Sequence, residues 1–269
     1  MIFSEFLVAC WNKTPRTHQY QIPERRVAWR KFNRGEMTWT VESLKDACEK
    51  YFWRDDFAST FRELTTLRGQ LGNALNIGSE RDAGELVHEI FRWGGVGRGK
   101  NLDWVKESVN SHSLCTSIKD AVRLLKNREG NLDRFGGFEP GLLPMNSSMT
   151  KVYAAADPQE FLIIYDGRVG AALAHLARLF LEQQKAPNVP PELNYHWGTS
   201  RSAATSARDP RNPSTAQYSF PRLFAPSPDF HHATDARRAS FLISKCARAC
   251  EVSPRSFEAA LFMWGYRAA

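Results

Sequence analysis

Two side chains that could act together in catalysis, Lys151 and Asp166, lie within residues 142–180. The sequence predicts that Lys151 lies on a short helix beginning near Ser147, and that Asp166 directly precedes a longer helix. A buried amine has a lowered pKa and can attack an electrophilic carbon, while a fixed carboxylate stabilises the positive charge that develops there. The pair therefore favours nucleophilic catalysis, although a solvated lysine and an ordinary helix cap fit the same residue types.

Apolar residues at helical spacing indicate that both candidates lie beside buried surface. Val169, Leu173 and Leu176 recur with the period of an α-helix, so the helix after Asp166 should bury one face and act as a scaffold. The short helix that carries Lys151 should be partly buried as well. Its apolar residues are Met149, Val152 and Ala156.

The whole chain is predicted to be mainly α-helical with two lobes. Residues 1–40 alternate short apolar and polar pieces, which predicts a strand, a hairpin or an irregular cap that belongs to the main domain. Residues 41–269 are predicted to form a helical domain. Within it, residues 186–235 are rich in proline, serine and arginine and predict a long loop insertion. Two helices, over residues 236–250 and 254–264, should follow it.

Helix-capping residues predict where several helices begin and end. Ser43 and Ser79 each precede a stretch with helical periodicity, and Ser253 stands before a proline suited to a first helical turn. Gly94 and Gly95 predict the end of the helix that begins after Ser79.

Composition favours a soluble intracellular protein with a polyanionic partner. The net charge is +7 and the sequence pI is about 9.3, which suits nucleic acid without proving it. The five cysteines form no CxxC pair, which indicates buried thiols in a reducing compartment. Cys246, Cys250, His231 and His232 suggest zinc only weakly, because their spacing lacks close ligand pairs at both ends. No apolar run reaches membrane-spanning length.

The central stretch resembles a known family of enzymes. Leu143-Pro144, then Thr150-Lys151-Val152, then an apolar run ending in Asp166, resemble the catalytic core of helix-hairpin-helix DNA glycosylases. The similarity is greatest to the 8-oxoguanine glycosylase branch, whose hairpin reads L-P-x-x-x-T-K-V and whose later motif reads V-D-x-x-V. The resemblance implies a helix-hairpin-helix glycosylase fold with a divergent hairpin. It also implies that Lys151 attacks the sugar C1′ and that Asp166 supports the oxocarbenium charge.

The resemblance implies a substrate and a compartment too. The expected partner is double-stranded DNA with a modified base, bound by a monomer in a bacterial cytoplasm without cofactor or metal. The branch includes a bacterial anti-phage glycosylase acting on glucosylated hydroxymethylcytosine. The long insertion and a turn that lacks glycine at residues 145–149 favour that substrate over 8-oxoguanine.

An enzyme of this kind must bind the DNA phosphates beside the target nucleotide and hold the extruded base in a pocket. Backbone N–H groups of the turn and nearby cations would bind the phosphates, although solvation explains each cation equally well. The predicted DNA-binding residues are Asn146, Ser147, Ser148, Thr150, Arg168, Arg98 and Lys100. Aromatic side chains could stack on the base, although core packing also explains each one. The aromatic candidates are Trp93, Phe138, Tyr165, Trp197, Phe262 and Trp264.

Two other function classes remain open on sequence grounds. The first is a DNA-binding protein without catalysis that keeps the same fold as a scaffold. The second is a nucleotide hydrolase, because residues 94–100 match the GxxxxGK pattern of a phosphate-binding loop. That pattern normally follows a buried strand and has Ser or Thr after the lysine, whereas here a predicted helix precedes it and Asn101 follows.

Overall fold

The computed structural model of the protein describes residues 1–96, 99–200, 209–223 and 229–268. The described residues are 56% helical and 4% strand, which confirms the mainly helical class and the small β part. The α-helices of the described residues are α1 Phe3–Asn12, α2 Val27–Phe32, α3 Leu44–Glu49, α4 Phe57–Ile77, α5 Glu80–Trp93, α6 Lys100–Asn110, α7 Leu114–Lys126, α8 Met149–Ala156, α9 Gly167–Gln184, α10 Asp229–Ala249 and α11 Pro254–Trp264.

The first forty residues contain two helices that were not predicted there. In α1, Phe3, Phe6 and Leu7 are buried at helical spacing, and the apolar pattern was too short to outweigh the polar residues that follow it. The two strands are β1 His18–Gln21 and β2 Thr38–Val41, which pair antiparallel. Because α2 lies between them in the chain, they do not form a tight hairpin.

The predicted helix caps at Ser43, Ser79 and Ser253 are confirmed. The Asp46 backbone N–H donates to Ser43 Oγ at 2.9 Å, and equivalent bonds reach Ser79 Oγ at 3.4 Å and Ser253 Oγ at 3.1 Å. Each hydroxyl accepts from one of the N–H groups that a first helical turn leaves unsatisfied. Helix α5 ends at Trp93 with Gly94 as its C-cap, as predicted.

The two central helices lie where the sequence placed them. Helix α8 begins at Met149, two residues after the predicted start, and all eight of its residues are buried. Helix α9 begins at Gly167, so Asp166 directly precedes it. Most residues of α9 are buried as well, so α9 buries more than the single face that was predicted.

The predicted loop over residues 186–235 is too long at its C-terminal end. Helix α10 begins at Asp229, so the prediction is wrong for residues 229–235. Ala233, Ala236 and Ala239 are buried at helical spacing, but alanine contributes so little hydrophobicity that the pattern was hidden. The described part of the segment contains a short 3₁₀-helix, Pro191–Leu193, and an isolated parallel bridge between Trp197 and Arg222.

The chain forms two compact units, each assembled from separate segments. Unit 1 comprises Met1–Thr60, Gly167–Phe224 and Leu242–Ala269, and unit 2 comprises Phe61–Asp166 and Ala225–Phe241. The core of unit 1 includes the His18 ring stacked on Trp264, with ring centroids 4.2 Å apart. The core of unit 2 includes Phe135 packed edge-on against Tyr153.

None of the helices in the described residues is both long and apolar enough to cross a lipid bilayer.

Candidate functional site

Lys151 is buried in unit 2, with 7% of its surface exposed. Its position on α8 directs the side chain back along the helix, where Nζ donates a hydrogen bond to the Ser147 carbonyl oxygen at 2.7 Å. Burying an amine is unfavourable unless its donors are satisfied, and this carbonyl satisfies one of them. The lysine is therefore held in one place rather than extended into solvent.

Gly94 provides the space that the Lys151 side chain occupies. A Cβ atom placed on Gly94 would lie 2.4 Å from Lys151 Cδ and 2.7 Å from Lys151 Cε, well inside van der Waals contact. Gly94 was predicted only as the end of a helix, and its second role depends on α5 and α8 packing together. No short-range signal in the sequence indicates that role.

The turn before α8 is closed by the side chain of Asn146. Its Oδ1 accepts from the backbone N–H groups of Ser148 at 3.0 Å and Met149 at 3.2 Å, as an N-cap does. Its Nδ2 donates to Asn101 Oδ1 at 2.9 Å. These two N–H groups already have an acceptor within the chain. The predicted binding of DNA phosphate by Asn146, Ser147 and Ser148 stays a prediction.

Asp229 fixes the other side of this turn and was not predicted as a site residue. Its carboxylate accepts from the backbone N–H of Met145 at 2.7 Å. Burial raises the pKa of Asp229, and the bond from Met145 opposes that shift. The ionised carboxylate in turn helps to raise the pKa of Tyr153, although burial is the larger cause. The sequence did not indicate a role for Asp229, because this residue lies in the stretch that was predicted to be a loop.

The peptide group before Asp166 is held by two hydrogen bonds at once. The carbonyl oxygen of Tyr165 accepts from Thr150 Oγ1 at 3.3 Å and from His232 Nε2 at 2.8 Å. Thr150 directly precedes Lys151 on α8, so a single contact ties the lysine helix to the residue before the aspartate. Asp166 itself is half-buried. Thr150, predicted to contact DNA, is buried and serves this link.

The side chain of Tyr165 is fixed as firmly as its carbonyl group. It is fully buried, and its hydroxyl donates to Asp235 Oδ2 at 3.2 Å. The other oxygen of Asp235 accepts from Arg238 at 2.7 Å. Tyr165 was a candidate to stack on a flipped base, and in this structure it fills the core of unit 2.

The pKa of His232 depends on both candidate catalytic residues, Lys151 and Asp166. Burial lowers its pKa most strongly; Asp235 and Asp166 raise that pKa, and the Lys151 charge lowers it. Lys151 and Asp166 therefore both contribute to the electrostatic environment of one imidazole ring. Because a carbonyl oxygen only accepts hydrogen bonds, Nε2 carries the proton in its bond to Tyr165 and Nδ1 of the neutral ring is an acceptor. His232 was considered only for zinc.

Arg168 lies in unit 1 within a group of aromatic rings. Its guanidinium carbon is 4.3 Å from the Phe262 ring centroid, 4.9 Å from Tyr266 and 5.0 Å from Trp53. Cation–π attraction stabilises a guanidinium in such a position. Arg168 is buried rather than solvated, and Phe262, a candidate base-stacking residue, is one of the rings that hold it.

The other predicted site residues occupy varied positions. Trp197 and Trp264 are buried in unit 1, where their indole N–H groups donate to Phe220 O and His175 Nδ1. In unit 2, Trp93 is buried at the end of α5 and Phe138 is half-buried. Their role in base binding stays a prediction.

The glycine-rich segment over residues 94–100 follows helix α5 and leads into helix α6. Lys100 is the exposed first residue of α6, and Arg98 lies outside the described residues. A phosphate-binding loop follows a strand, so this arrangement does not favour nucleotide hydrolysis.

The described residues include no group of three or more His, Cys, Asp or Glu side chains placed to hold a metal ion.

Comparison of the chain with protein-family models, with curated proteins and with solved structures finds no match.

Proposed function

We propose that the protein is a DNA glycosylase that uses Lys151 and Asp166 to cleave the bond between a modified base and its sugar. The observation that carries the proposal is the link between the two residues. The buried lysine is tied through Thr150 to the Tyr165 carbonyl group, next to Asp166, and both charges act on His232. Two supporting facts are the resemblance of residues 142–180 to glycosylases and the net charge of +7.

In the proposed reaction Lys151 first gives a proton to water, and its neutral amine then attacks C1′ of the extruded nucleotide. The Nζ lone pair forms a bond to C1′ while the bond from C1′ to the base breaks. The electron pair of that bond leaves with the base, which takes up the proton that the new ammonium group at C1′ releases. The Asp166 carboxylate stabilises the positive charge on the sugar during this step. The hydrogen bond from Nζ to Ser147 O uses an N–H group and leaves the lone pair of the neutral amine available for the attack.

Two outcomes can follow from the attack. If a Schiff base forms on Lys151, elimination of the 3′ phosphate can cut the strand. If water attacks C1′ in place of the amine, only an abasic site results. The first substrate we propose is DNA with α-glucosylated hydroxymethylcytosine, and the second is DNA with 8-oxoguanine. This order rests on the resemblance, on the turn without glycine and on the long segment after α9.

The test is a set of defined duplexes that contain 8-oxoguanine, uracil, hydroxymethylcytosine or glucosylated hydroxymethylcytosine. Alkali after incubation reveals abasic sites, and borohydride traps an amine bound to the sugar. We expect cleavage of one modified duplex, and we expect Lys151→Gln and Asp166→Asn each to lower the rate by about 10²-fold or more.

Lys106→Gln is the matched control, because Lys106 is an exposed lysine on α6 in the same unit and its loss should leave the rate unchanged. Equal activity of Lys151→Gln and the wild type would show that Lys151 is not the nucleophile. If folded protein binds every duplex and cleaves none, the chain is a DNA-binding protein without glycosylase activity.

A further inference from the structure

A cavity of about 490 Å³ lies between α4 and α7 within unit 2. Arg68, Gly72 and Leu75 line it from one face of α4, at the spacing of successive helical turns. Lys119 and Lys126 line it from one face of α7 at the same kind of spacing. This volume lies in the range of about 300–1,000 Å³ that is typical of small-molecule sites.

The charged groups that line the cavity all carry the same sign. Arg68, Lys119, Arg123 and Lys126 are cationic, and the lining includes no aspartate or glutamate. Low-dielectric walls focus the field of such cations into the cavity, so any of them whose charge is not balanced by a carboxylate favours an anion there.

Carboxylates outside the lining already pair with three of the four cations. Arg68 pairs with Glu160, Arg123 with Asp120 and Lys126 with Asp157.

Lys119 differs from the other three cations. Its Nζ donates only to the Leu75 carbonyl oxygen, at 3.4 Å, and across the described ranges no carboxylate oxygen lies within 4 Å of it. Lys119 is therefore the cation best placed to bind an incoming anion.

The rest of the lining is apolar apart from the amide side chains of Asn76 and Asn127. Leu75 and Val122 contribute from the two helices, and Ala156 and Pro158 contribute from the end of α8 and the residues after it. Gly72 has no side chain to project into the cavity from α4, and a Cβ atom placed there would meet no atom within 4 Å. A glycine inside a helix destabilises it relative to alanine. The surface at Gly72 therefore leaves room for a planar ring of a ligand.

We propose that this cavity binds a nucleoside monophosphate, with the phosphate at Lys119 and Arg123 and the base against Gly72, Leu75 and Val122. Lysine and arginine both complement phosphate oxygens, and the apolar wall accommodates the planar base. The site uses none of the residues assigned to glycosidic cleavage. It therefore does not depend on the glycosylase proposal.

Calorimetry with the whole chain tests the site, with AMP, adenosine and inorganic phosphate as separate probes. We expect AMP to bind with a Kd below about 1 mM, and adenosine and phosphate each to bind at least about 10-fold more weakly. Lys119→Gln should weaken AMP binding at least about 5-fold. Gly72→Leu should abolish it, because the new side chain fills the cavity from an uncrowded position.

Gly69→Leu is the matched control. It makes the same change on the same helix, at an exposed glycine that does not line the cavity and whose Cβ would also meet nothing within 4 Å. AMP binding should be unchanged in this variant.

Three results would overturn the proposal. The first is that AMP does not bind at millimolar concentration, and the second is that it binds equally well to Gly72→Leu and Lys119→Gln. The third is that phosphate binds as tightly as AMP, which would show that the apolar wall takes no base. If AMP fails but Lys119→Gln and Gly72→Leu both weaken binding of an unmodified duplex, the cavity takes a DNA phosphate instead.

Discussion

Replacing Gly94 with alanine should displace the Lys151 amine without unfolding the protein. The new methyl carbon would lie 2.4 Å from Lys151 Cδ, whereas ordinary van der Waals contact begins at 3.4 Å. The lysine methylene groups must therefore move by about 1 Å. A shift of about 1 Å in a catalytic group costs on the order of 10²-fold in rate. We expect a loss of that size in the single-turnover rate on the cleaved duplex.

The fold should tolerate this substitution. Gly94 has φ −77° and ψ −3°, a conformation open to any residue, so alanine introduces no backbone strain. The atoms that must move belong to a flexible side chain. Alanine also has fewer conformations than glycine in the unfolded chain, which raises the free energy of unfolding by about 0.4–1 kcal/mol. The melting temperature should therefore change little, while the rate and the yield of borohydride-trapped Lys151 fall.

The matched control is Gly69→Ala, whose added Cβ meets no atom within 4 Å. It should leave the rate unchanged. If Gly94→Ala folds and cleaves at the wild-type rate, the position of Lys151 in this structure does not determine catalysis.

Three further predictions concern buried polar groups. Burial lowers the pKa of His18 from 6.5 to about 4, and its backbone hydrogen bonds only partly oppose this shift. Between pH 6.5 and 4 the unfolded chain binds a proton at His18 that the folded chain does not. The free energy of unfolding is therefore highest above pH 6.5 and falls as the pH approaches 4, by about 3 kcal/mol for this group. His18→Gln should flatten that pH dependence in urea unfolding, and an unchanged slope would contradict the assignment. Asp157 is fully buried and accepts from the half-buried Lys126 Nζ at 2.6 Å and from the backbone N–H groups of Phe161 and Leu162 at 2.7 and 2.9 Å. Asp157→Ala leaves the two N–H groups without this acceptor and should lower the free energy of unfolding by about 1–3 kcal/mol, and an unchanged value would contradict this role. His232→Phe removes one of the two donors to the Tyr165 carbonyl group and should lower the free energy of unfolding by about 1–3 kcal/mol in the same measurement; an unchanged value would show that Thr150 alone satisfies that oxygen.

The helical parts of the fold were predictable where local signals were strong. Ser43, Ser79 and Ser253 marked helix starts because each hydroxyl accepts from a backbone N–H only three residues away. The start of α10 was not predictable in this way. Its buried alanines give a weak pattern, and the proline- and serine-rich sequence before it suggested a loop.

The candidate site was predictable only in part, for a similar reason. Lys151 and Asp166 lie fifteen residues apart in one local stretch, so their order along the chain was enough to suggest them. Gly94, Asp229 and His232 reach the same region from distant segments. Their roles depend on tertiary packing, which leaves no periodic or short-range mark in the sequence.

The division of unit 1 into separate segments has a consequence for the order in which the chain can fold during synthesis. His18 Nε2 bonds to the carbonyl oxygen of Trp264, a contact between residues 246 positions apart. The ribosome must therefore release residues 242–268 before the first sixty residues can complete their core. Until then, the buried faces of α1 and β1 have no permanent cover, and they are the surfaces most exposed to aggregation or to chaperones.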